Sequence, residues 1–85
     1  MEKLIGKVNH FFNKISVAMI EITDDELIVG DTIHLKGNAA DFNQTITSMQ
    51  IERVPVEKAK KGDQVGVKLD SPVHDHDQVF KVLPD

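Results

Sequence analysis

The chain has no cysteine, no tryptophan and no tyrosine. Without thiols there is no disulfide, no thiol nucleophile and no thiolate metal site. Its aromatic rings are Phe11, Phe12, Phe42 and Phe80, so a stacking platform for single-stranded bases would have to draw on those few. Arginine is almost absent: among 10 basic residues, Arg53 is the one guanidinium. Lysine offers a point charge rather than the planar fork that grips phosphate or reads guanine. No apolar run is long enough for a transmembrane helix. The stretch Met1 to Lys7 lacks the apolar core of a secretory signal, and a cytoplasmic protein is expected. No nucleophile elbow, phosphate loop or dinucleotide fingerprint occurs, so no catalytic residue, nucleotide or cofactor is expected. The chain reads as a binding module, not an enzyme.

What is present bounds the fold. Eighty-five residues make one domain, 1–85, with a small core. Hydrophobic residues at 40% and charged residues at 28% suit a soluble globular domain. The net charge of −4 argues against strong non-specific binding of nucleic acid, though not against a local basic patch.

Short apolar stretches cut by turns predict strands. Ile5 to Phe12 is the first, and an Asn13-Lys14 turn leads to a return strand from Ile15 to Ile22. On that strand Ile15, Val17 and Met19 share one face, while Ile20 and Ile22 continue out of phase, which predicts a bulge or a sharp bend. Leu27 to Val29 is short, and Gly30-Asp31 turns the chain into Thr32 to Lys36, with Ile33 and Leu35 on one side. Phe42 to Arg53 reads as the longest strand, with its buried side left open. Val54-Pro55-Val56 blocks a helix. Glu57 to Lys61 is compatible with one helical or 3₁₀ turn, stopped by Gly62-Asp63. Gln64 to Leu69 points Val65, Val67 and Leu69 inward, and Gln78 to Leu83 closes the domain. No internal repeat stands out. If the domain closes imperfectly, Ile5 to Phe12 is the edge expected to pair with another copy.

Three polar groups invite chemistry. Asp24-Asp25-Glu26 reads as a solvated acidic turn. In His74-Asp75-His76-Asp77, an extended backbone would put His74 and His76 on one face, a weak candidate metal pair without a third placed ligand. Lys58, Lys60 and Lys61 form a small basic cluster, with Lys3, Lys7 and Lys14 elsewhere.

Taken in order, Gly6-Lys7-Val8, Val17 to Ile20, Leu27 to Ile33 with its Gly30-Asp31, Thr47 to Gln50, and Ala59 to Leu69 with its Gly62-Asp63 resemble domain 2 of translational GTPases such as elongation factor Tu. The resemblance runs from about Ile5 to Val82. It implies an all-β, small closed β-barrel of Greek-key type with short turns. No GTPase segment is present, so GTP hydrolysis is not implied. Lys14, Arg53 and Gln64 fall where that family has a basic residue, an arginine and an amide. The acidic and aromatic residues that face the aminoacyl end in the family have no counterpart near Gly6 to Asn9. The chain is also similar to the small accessory barrel that follows some collagenase-like peptidases.

The leading expectation is therefore a translation-linked module contacting tRNA or ribosomal RNA, or a ribosome-associated partner. Lys14, Arg53 and Gln64 would be the principal contacts, with Lys58, Lys60 and Lys61 peripheral. The alternative is a protein–protein module docking on a separate enzyme such as a collagenase-like peptidase. No membrane is expected as a partner.

Overall fold

The computed structural model describes residues 1–38 and 40–84. Ten strands follow one another: β1 (Glu2–Phe12), β2 (Val17–Ile22), β3 (Glu26–Ile28), β4 (Thr32–Lys36), β5 (Asp41–Thr45), β6 (Met49–Ile51), β7 (Val54–Val56), β8 (Lys58–Lys60), β9 (Gln64–Lys68) and β10 (Gln78–Val82). No helix long and apolar enough to cross a membrane occurs among the described residues.

Period-2 alternation decides what is buried. On β2, Ala18, Ile20 and Ile22 turn inward, as do Ile33 and Leu35 on β4, and Val65 and Val67 on β9. With Ile5, Val8, Leu27, Met49, Ala59 and Val79 they form one continuous core. Each fully buried Ile, Leu or Val contributes about 1.5–3 kcal/mol relative to an exposed one. The residues that look out of phase on β2 need no bulge. Val17 and Met19 are apolar but face outward, and β2 pairs with β9 in unbroken register. The irregularities lie in β1 instead, between Leu4 and Gly6 and between Val8 and His10. Such bulges bend and twist a long strand, here one that must pair with both β10 and β2.

Eight strands form one antiparallel sheet in the order β5-β4-β10-β1-β2-β9-β6-β7, and β3 pairs with β8 in a second. The fold is all-β, as expected, but no sheet closes into a barrel. The large sheet ends at β5 and β7. The chain from Phe42 to Arg53 is not one strand, because it turns away at Ile46. There the backbone N–H donates to Asp31 and the C=O accepts from Gly30, in place of a continuing ladder. The β5 and β9 ends are joined by a side chain. The Gln44 amide, almost wholly buried, donates to Lys68 C=O at 2.7 Å and accepts from Asp70 N–H at 2.7 Å. β1 sits between β10 and β2, so the expected edge is an interior strand.

Glu57 to Lys61 makes no helical turn, because Lys58–Lys60 pairs with Glu26–Ile28 as β8 against β3. Each of these strands ends in the same turn. The N–H of Asp31 donates to Ile28 C=O, and that of Asp63 to Lys60 C=O, both at 2.9 Å. Each Asp carboxylate in turn accepts the N–H of the first turn residue. Gly30 and Gly62, at φ 103° and 96°, occupy the third position, where a left-handed backbone suits glycine.

Candidate docking surface

The outer face of β2, β9 and β6 sets Val17, Met19 and Gly66 among the polar Glu21, Gln64, Lys68 and Gln50. Register places Met19 beside Gly66 and Gly66 beside Gln50. A cleft of about 450 Å³ lies here, lined by Phe12, Val17, Met19 and Gly66, with Ile15 and Arg53 at its rim. Ile15 is 57% exposed and Phe12 41%. The turn from Asn13 to Ser16 takes four residues rather than two, with Ser16 at φ 55°, so Ile15 is held in the turn and not in the strand. A second cleft shares Phe12 and Ile15 and reaches Lys14. A third shares Met19 and Glu52 and reaches Gln64. Arg53, Lys14 and Gln64 thus each line a different cleft, and the clefts share wall residues.

Lys58, Lys60 and Lys61 line none of these clefts. They belong to β8 and its turn, and Lys58 is paired with Glu26 at 3.1 Å. His74 and His76 lie in the turn before β10, not on a strand, so the alternation that would have aligned them does not operate. His76 is at φ 74°, and no group of three metal-ligating side chains occurs among the described residues. In the acidic turn, Asp24 and Asp25 both face Lys3. The N–H of Glu26 bonded to the Asp25 carboxylate holds its pKa below the ordinary value, with Lys3 adding to the effect.

Sequence reasoning missed one polar cluster. His34, on β4, meets Glu2 through Nδ1 at 2.9 Å and Asp41 through Nε2, while Phe80 packs against its ring. Two carboxylates bracketing one imidazole favour the doubly protonated ring. The hydrogen bond to Glu2, then that to Asp41, raises the His34 pKa, and the same contact lowers that of Asp41. Glu2 lies 32 residues from His34, and the register that brings β1 and β5 to it across β10 and β4 was not legible.

No family model matches the chain. An uncharacterized protease of Methanocaldococcus jannaschii is 46% identical over 77 residues, which are 89% of this chain and 19% of that protein. A collagenase of Porphyromonas gingivalis is 30% identical over 78 residues, 91% of this chain and 22% of the collagenase. The chain is similar to one segment of a longer protease. It spans about a fifth of the length of these curated relatives. Among solved structures, the C-terminal domain of a Geobacillus thermoleovorans protein assigned to the U32 peptidases superimposes with a TM-score of 0.87 at 18% identity. That match covers 95% of this chain and 93% of that one, and it establishes the fold.

These findings overturn the translation-factor reading. The relatives are named as proteases, and the matching fold is a peptidase's C-terminal domain. The Gly30-Asp31 and Gly62-Asp63 motifs that carried much of the resemblance are local solutions to a tight turn between strands, which unrelated β-proteins share. The expectation of RNA contact rested on that resemblance and on the Lys58–Lys61 cluster, which lies away from these clefts. It is withdrawn with the elongation-factor assignment.

Proposed function

We propose that this chain is a non-catalytic accessory module that docks on the catalytic portion of a collagenase-like peptidase. One observation carries the reading. Similarity spans nearly all of this chain but about a fifth of the proteases it matches, and a separately folded C-terminal domain of such a protein has the same fold. The docked state is favoured by an outer-face cleft whose walls include the apolar Phe12, Ile15, Val17 and Met19. The buried polar side chains, Gln44 and Asp77, serve the fold: Gln44 joins β9, and Asp77 accepts the N–H of His74.

A chimera tests this. In the M. jannaschii protease, the segment matching this chain is replaced by this chain, and cleavage of gelatin is compared with the intact protein and with a deletion of the segment. The expected result is activity in the chimera, loss in the deletion, and none in this chain by itself. Hydrolysis by this chain alone, or a chimera as inactive as the deletion, would sink the proposal.

A further inference from the structure

We infer that Glu2, His34 and Asp41 form a proton-operated clip: the imidazolium of His34 ties the start of β1 to the terminal strand β5, and its neutral form lets the Asp41 end of β5 open. The inference is independent of what the module docks on.

Both segments that the clip joins are paired on one side. β5 ends the large sheet, so its ladder runs to β4 alone. β1 pairs with β2 from Gly6 onward, which leaves Glu2 to Leu4 with β10 as their strand partner, and an irregularity follows Leu4. β4 and β10 lie between the two. His34 stands outward on β4, since Ile33 and Leu35 on either side of it are buried. Phe80, its register partner on β10, packs against the ring. Nδ1 meets Glu2 at 2.9 Å and Nε2 meets Asp41. The His34 side chain is 15% exposed, so water has little room to replace either partner.

Ring chemistry makes this bridge depend on a proton. An ionised carboxylate only accepts hydrogen bonds. An imidazolium has two N–H donors and satisfies both Glu2 and Asp41, whereas a neutral imidazole has one donor and one lone pair. On neutralisation one carboxylate therefore faces a lone pair and leaves. Asp41 is the one with somewhere to go. Its side chain is 71% exposed against 38% for Glu2. Lys36, its register partner, stands on the same outer face of β4 and already acts on its charge. The charged groups around the ring are thus Glu2 from β1, Asp41 from β5 and Lys36 from β4, while β10 contributes the uncharged Phe80. Lys81, next along β10, pairs with Asp31 on the other side of the sheet. The clip is closed in acid and opens as pH rises through the raised pKa of His34.

The rest of β5 decides which end gives way. Towards Thr45 the strand is anchored twice: Gln44 bonds Lys68 C=O and Asp70 N–H, and the Thr45 and Thr32 hydroxyls lie 3.4 Å apart. At the other end the side-chain tie is that of Asp41 to His34. Phe42 packs against the core between the two ends, so the opening is local and does not peel the strand away.

The test follows ¹⁵N-labelled chain by NMR between about pH 5 and 9, reading the ring nitrogens of His34 and the amide protection factors of each strand. As the ring loses its second proton, protection in the β4–β5 ladder is expected to fall about tenfold, the effect of one charge-assisted hydrogen bond, while that of Ile20 and Val65 holds. Glu2→Gln is the deciding variant. Its amide can donate to Nδ1 while the neutral ring donates Nε2–H to Asp41, so the bridge no longer needs the extra proton. The ladder should then stay protected at the upper pH. Asp41→Asn, the mirror exchange, should behave in the same way. A wild-type ladder that does not change as the ring titrates, or a pH-dependent loss that persists in both variants, would overturn the clip.

Discussion

His34 is the residue whose environment departs most from its sequence context. Its pKa is raised above 6.5, so the stabilisation from its two carboxylate partners is complete below that value and fades as pH rises through the raised one. Asp41 is held below 3.8, so its share is present above that value and is lost as pH falls through the lowered one. The melting temperature is therefore expected to be highest in mildly acidic buffer and to decline from about pH 6.5 upward. Thermal unfolding of the His34→Gln variant checks this, since its curve should be flatter over the same interval; an unchanged slope would refute the assignment. Gln44 acts at the same scale without titrating. Gln44→Ala removes both bonds that join β5 to the end of β9 and leaves Lys68 C=O and Asp70 N–H without that partner. A loss of about 2–4 kcal/mol is expected in urea denaturation. A change under about 0.5 kcal/mol, the usual effect of a neutral surface substitution, would show that water replaces the amide there.

At the scale of elements, strands with clean alternation were legible. β4 runs over Thr32–Lys36 with Ile33 and Leu35 buried, as its pattern requires, and β9 buries Val65 and Val67. β8 was not, because Lys-Ala-Lys has the composition of a helical turn and becomes a strand only through its partner β3. The break between β5 and β6 was hidden for a similar reason, since Ile46 is fixed by Gly30 and Asp31, which lie more than a dozen residues earlier. The β3–β8 sheet has three residue pairs and joins segments about thirty residues apart, so loop closure weighs heavily against a short ladder. Backbone amides of Leu27 and Ala59 should exchange with deuterium sooner than those of Ile20 and Val65 in the large sheet. Equal protection would mean that the two sheets open as one unit.

The whole molecule was legible in class and not in shape. Alternating strands and frequent turns specify an all-β chain, but whether the ends of a sheet meet depends on residues such as Ile46 and Gln44 that bond across long separations. The outer-face cleft left one trace. Ile15, Val17 and Met19 share a period-2 face, which reads as core until Ala18, Ile20 and Ile22 are seen to fill the core from the other side. Lys14, Arg53 and Gln64 come from three separate turns or strand ends and line three different clefts.

An unclosed sheet has one further consequence. Its two terminal strands are templates on which foreign strands could polymerise, the first step towards fibrils. At one end Pro55 supplies no amide for such growth. At the other, β5 surrounds its ladder with Asp41, Asn43 and Thr45, all exposed, and carries too little apolar surface to seed a dry interface. The molecule can thus leave its sheet open without offering either terminal strand as a ready template.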